Sequence, residues 1–155
     1  MISEAKTENN KVIILIAFLL LGVATVAIAA TVYMAIATLA YSLLVIGLSY
    51  RRIDTKIHAR LMSAGMFTDL SLVLVLEVLR NAIDTATSFT MTPLQQMHIL
   101  TSSLAVLFYF PVLLLGVIRL KSNEKTLKSY VWHKRLGIVA FCFRTLGFIF
   151  MFSLL

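Results

Sequence analysis

VIILIAFLLLGVATVAIAATVYMAIATLAYSLLVIGLSY, residues 12–50, is a run of 39 residues without a single charge. As one helix at ~1.5 Å per residue it would reach roughly 58 Å, nearly twice the ~30 Å hydrocarbon core of a bilayer. The run is therefore read as two membrane spans, 12–29 and 33–50, with a tight turn near Ala29–Tyr33. No Gly or Pro marks that turn, so the division rests on length alone; if the run is not divided, the chain has four spans rather than five.

The rest of the chain repeats the pattern. A third span is predicted at 55–83, after Arg51-Arg52-Ile53-Asp54-Thr55, with Asp54 or Thr55 as N-cap for the first unpaired N–H groups. A fourth, 93–120, opens on Thr92-Pro93-Leu94-Gln95, which joins a capping box to a proline at the first helical position. Pro111 inside it frees the carbonyl of Leu107 and predicts a kink. The fifth runs from Ser129 or Tyr130 to the end, 130–155. The fold expected is all-α, one helical bundle embedded in a membrane. There is no internal repeat, and no cleavable signal is evident at the polar start, Met1–Asn10.

Composition agrees. Of the 155 residues 60% are apolar and 14% charged, too few charges to cover a soluble surface. The net charge of +7 would suit a nucleic acid, but ten of the fourteen basic residues sit in or beside two short connections. These are Arg51, Arg52, Lys56 and Arg60, then Arg119, Lys121, Lys125, Lys128, Lys134 and Arg135. No basic stripe with interleaved aromatics is left for a nucleic acid. The loop between, 84–96, has no basic residue. By the positive-inside rule both basic connections are cytoplasmic, which puts the N-terminus inside and the C-terminus outside. The lone Cys142 forms no intrachain disulfide and reads as a packing or lipid-facing residue.

Charged groups within spans are costly, at least ~2.5 kcal/mol each at the centre, so they need partners and often mark function. Here they are Asp69, Glu77, Arg80 and Arg144, and His58, His98 and His133 lie within the first two turns of a span. His58 to Asp69, His133 to Arg144 and His98 to Tyr109 are each eleven residues. Eleven residues return a helical side chain to within about 20° of its start, roughly 16 Å further along the axis. Spans three and five run the same way. The spacing predicts a buried Asp69–Arg144 pair near midplane with Tyr109 beside it, as a packing device or a proton relay. It predicts an inner site faced by His58 and His133, and an outer cluster of Glu77, Arg80, Asn81, His98 and Ser102. Glu77 and Arg80 can also pair within their helix.

Two histidines of parallel helices suit axial ligation of haem b; copper is the alternative, with Met62, one turn from His58, adding a soft thioether. Against this stands a plainer reading, in which the histidines meet headgroups or cap neighbouring helices. No CxxCH is present for covalent haem, and no nucleophile–base pair, phosphate loop or HExxH supports an enzyme.

His58-Ala59-Arg60-Leu61-Met62, Leu79-Arg80-Asn81, His98-Ile99, His133-Lys134-Arg135 and Thr145-Leu146-Gly147 together resemble a small bacterial membrane family of CtaM-like proteins, linked to maturation of haem–copper oxidases. The resemblance covers spans three to five. It implies an accessory or assembly protein in the bacterial plasma (inner) membrane, with oxidase subunits as partners. Three of that family's four histidines are matched by His58, His98 and His133. The fourth position holds Asn81, which counts against an outer haem or metal site and leaves the inner pair intact. A fainter likeness is to b-type di-haem cytochromes, whose paired histidines on both sides this chain does not retain. A b-type electron carrier and a cofactor-free structural subunit are the other readings.

Overall fold

Helices start where a side chain takes over the first free N–H groups, and three such caps organise this protein. A computed structural model describes residues 31–80, 92–121 and 127–152, together with Ile16, Leu20, Gly22, Val23 and Asp84, all five helical. The side chains of Arg80, Leu127 and Lys128 lie outside the description, as do Asn81 and most of the predicted span 12–29. Among the described residues there is no strand. The described residues form four long helices: α1 (Val32–Ser49), α2 (Thr55–Arg80), α3 (Pro93–Lys121) and α4 (Leu127–Met151). The chain divides into two units, Met1–Asp69 and Leu70–Leu155, with the boundary inside α2.

In the first unit, Thr31 caps α1, its Oγ1 accepting from Met34 N at 3.2 Å. A 3-10 turn, Tyr50–Arg52, ends the helix, and the N–H groups of Ile53 and Asp54 both donate to Tyr50 O at 3.0 Å. Asp54 then caps α2: its Oδ1 accepts from Lys56 N at 2.7 Å and Ile57 N at 3.1 Å. Of the two predicted caps, the carboxylate takes the role. Those bonds favour the charged form, so they hold the Asp54 carboxyl below its ordinary value of 3.8, Ile57 contributing most.

The short connection folds α2 back on α1, and small residues set how closely the two approach. A Cβ on Gly65 would stand 2.9 Å from the Leu44 side chain and 3.0 Å from Ala40 O; one on Gly47 would stand 3.1 Å from Leu61 Cβ and Met62 Sδ. Such contacts carry helix association where lipid removes the hydrophobic drive. In α1 the hydroxyls of Thr38 and Ser42 are satisfied locally: Thr38, buried completely, donates to Met34 O at 2.8 Å, and Ser42 to Thr38 O at 2.7 Å.

In the second unit the predicted capping box forms. Thr92 N donates to Gln95 Oε1 at 3.0 Å, and Gln95 N returns the bond to Thr92 Oγ1 at 3.4 Å. The helix α3 continues through Pro111. The start of α4 is Leu127, two residues before the predicted Ser129. Helices α3 and α4 pack as an antiparallel hairpin. Thr101, Ala105, Tyr109 and Val112 are buried on α3, and Ala140, Arg144, Gly147, Phe148 and Met151 on α4. Both sets recur every three or four residues, the spacing of one helical face. The Phe108 and Phe143 rings stack, centroids 5.9 Å apart, and Phe148 meets Phe152 edge-on at 5.6 Å. These aromatics are packing.

Outward faces are apolar to a degree that water would not tolerate: Val78 is 80% exposed, Leu107 64%, Leu114 63% and Phe110 60%. Three stretches, Val32–Arg52, Thr55–Leu79 and Pro93–Lys121, are long and apolar enough to cross a membrane. The 25 residues of α4 have the length of a span, but Lys128, Lys134, Arg135 and Arg144 keep it out of that group. The described residues are all-helical, and the three apolar helices fit a membrane protein.

Candidate functional site

A backbone carbonyl only accepts hydrogen bonds, so an imidazole nitrogen that meets one must carry the proton. All three histidines meet one on a neighbouring helix. His58 Nδ1 lies 2.7 Å from Gly47 O, His98 Nδ1 2.7 Å from Gly147 O, and His133 Nδ1 3.2 Å from Val112 O. Each Nδ1–H donates, so in the neutral ring the lone pair sits on Nε2. That tautomer leaves Nε2 able to bind a metal or haem iron, with the other nitrogen, Nδ1, anchored as in ligating histidines.

Local structure explains each acceptor. Gly47 belongs to the last turn of α1, whose terminal carbonyls lack helical partners, so His58 caps that helix from α2. Met62 reaches the same glycine, its Sδ 3.1 Å from where a Gly47 Cβ would stand, in the helix–helix contact. The plainer reading of a capping histidine and the ligand reading meet in one side chain.

On the α3–α4 hairpin the two bonds are reciprocal. His98 of α3 reaches α4, and His133 of α4 reaches α3 at a position fourteen residues further along, about 21 Å by helical rise. Glycine makes room at both ends. Gly116 lies 3.5 Å from His133 Cε1 by its missing Cβ, and a Cβ on Gly147 would fall 2.5 Å from Ser102 Oγ and 3.3 Å from Thr101 Oγ1. Ser102 therefore sits beside His98 at Gly147, joining two residues of the predicted outer cluster. Its Oγ is buried without a hydrogen-bond partner among the described residues. Thr101 is satisfied by Met97 O at 2.7 Å.

Asp69, Tyr109 and Arg144, 5%, 4% and 5% exposed, are among the most buried polar side chains described. The Phe108–Phe143 stack puts their sequence neighbours Tyr109 and Arg144 at one depth on the hairpin. Arg144 also lies within electrostatic reach of His98. His58, Met62 and Asp69 belong to the first unit and the remaining candidates to the second. Glu77 is half-buried; Asn81 and the Arg80 side chain are outside the description. Among the described residues no three His, Cys, Asp or Glu side chains gather into a metal-binding group.

Spacing in the sequence found the histidines but not their acceptors. Gly47 precedes His58 by the same eleven residues that separate the other pairs, a signal visible only once α1 and α2 are known to fold back. Comparison with known proteins adds nothing. No family model, curated protein or solved structure matches this chain.

Proposed function

We propose that this chain is a non-enzymatic accessory protein for assembly of a haem–copper oxidase in the bacterial plasma membrane. In this reading His58 and His133 are each a candidate haem b ligand, which would bind through Nε2. What supports it is the set of Nδ1–H bonds to backbone carbonyls, added to the CtaM-like motifs. When bound, haem supplies one-electron chemistry and a strong optical signature. The protein's own part is to fix the tautomer, orient each ring and exclude water with apolar helices. Copper is the weaker choice, since Met62 spends its sulfur on packing against Gly47. The proposed topology is five spans, N-terminus cytoplasmic and C-terminus outside.

The competing reading is a cofactor-free structural subunit, favoured by one observation: every histidine already makes a helix-to-helix bond. An optical spectrum with metal analysis separates the two. Expected is a Soret band with sharp bands on reduction, lost in His58→Ala and His133→Ala but kept in His98→Ala. Colourless, metal-free protein from haem-supplemented cells would overturn the cofactor and leave the structural subunit. Rapid reduction of the haem by a quinol would move the assignment to an electron carrier.

A further inference from the structure

The basic end of the α3–α4 hairpin holds a group of side chains that neither the packing nor the histidines employ. Arg119 lays its guanidinium over the Tyr130 ring, Cζ 4.8 Å from the centroid. Arg119 Nε and Ser129 Oγ are both buried, and neither has a hydrogen-bond partner among the described residues. An arginine Nε shut from water and left unbonded is costly, and so is the buried hydroxyl of Ser129, the sequence neighbour of the Tyr130 that Arg119 covers. An anion reaching both would remove that cost.

The surroundings say which anion. Tyr130 and Trp132 are 46% and 50% exposed, as amphipathic rings are at the level of lipid headgroups. Lys121, Lys134 and Arg135, close to them in sequence, are exposed, and Glu124 is the single acidic residue between Arg119 and Arg135. Basic pockets between helices at that level take anionic lipid headgroups. We infer that Arg119, braced by Tyr130, and Ser129 form a site for the phosphate of an anionic phospholipid headgroup. The Arg119 fork gives the phosphate directional donors, the tyrosine face holds the fork, and the flanking lysines and Arg135 supply attraction without geometry. The site stands whether or not haem binds elsewhere.

Trp132, the chain's one tryptophan, reports on this position. The whole protein is reconstituted with brominated phosphatidylglycerol or brominated phosphatidylcholine, and quenching of Trp132 gives the relative affinity of the two lipids. The expected result is a preference for the anionic lipid that falls about fivefold or more in Arg119→Lys, although the charge is kept. Ser129→Ala should lower it as well, with helical circular dichroism unchanged. Equal quenching by the two lipids overturns the site. So does a preference that survives Arg119→Lys and disappears only when Lys134→Gln and Arg135→Gln lower the total charge, since that is diffuse attraction. Loss of the preference in millimolar inorganic phosphate would show that the site takes the free anion, and would overturn the lipid assignment.

Discussion

Single atoms decide most at the residue scale. At Gly147 the α4 backbone approaches α3 so closely that a methyl group would meet Ser102 Oγ at 2.5 Å and its backbone nitrogen at 3.3 Å. Gly147→Ala should destabilise the detergent-solubilised protein by about 1–3 kcal/mol, the usual cost of overpacking, read from unfolding in a denaturing detergent. Gly137 has nothing within 4 Å of its missing Cβ, so Gly137→Ala should be neutral or mildly stabilising, by up to about 1 kcal/mol. Equal losses at both sites would deny that close approach matters at Gly147. Asp54 governs a pH effect. Its folded pKa lies below 3.8, so its contribution is complete above that value and is lost as pH falls through the folded pKa. Acid unfolding of Asp54→Asn, which caps without titrating, should have lost this component, leaving a flatter stability curve below about pH 4.

Among the elements, the hairpins are where local code and packing meet. Thr92-Pro93-Leu94-Gln95 states the start of α3 in four letters, because a capping box satisfies its N–H groups without help from elsewhere. The start of α4 was less legible. The apolar run begins at Tyr130, but the first turn of a helix can be built from polar residues at an interface, and α4 extends back to Leu127. His98 and His133 tie α3 to α4 from opposite ends. His98→Leu and His133→Leu should each weaken the hairpin by about 0.6–1.7 kcal/mol, the range for hydrogen bonds between helices in membranes. The measurement is unfolding of each variant, and no change in either would mean that the bonds contribute nothing net.

For the whole molecule, charge placement sets the expected topology. In a Cys142→Ser background, an impermeant maleimide should label Ser153→Cys in intact cells, and Lys6→Cys and Lys125→Cys only after permeabilisation. Labelling of Lys6→Cys from outside would favour four spans. The sequence spacing also predicts that Asp69 pairs with Arg144, and a double-mutant cycle tests that expectation: Asp69→Asn and Arg144→Gln should each destabilise, and the double change should cost less than their sum. Strict additivity would sink the pairing.

Read by itself, the sequence determined the solvent and the class of fold. Long uncharged runs can satisfy their backbone in lipid only as helices, and the placement of the basic connections gives the topology as an expectation. It also singled out Asp69, Tyr109 and Arg144, all buried, because eleven-residue spacing is a property of one helix; it did not name the buried Thr38 and Thr101. Only the tertiary structure decided what those residues touch. That Gly47, Val112 and Gly147 would receive the three histidines depends on the register between helices. Register is set by how closely small residues let two backbones approach, and no single helix carries that information.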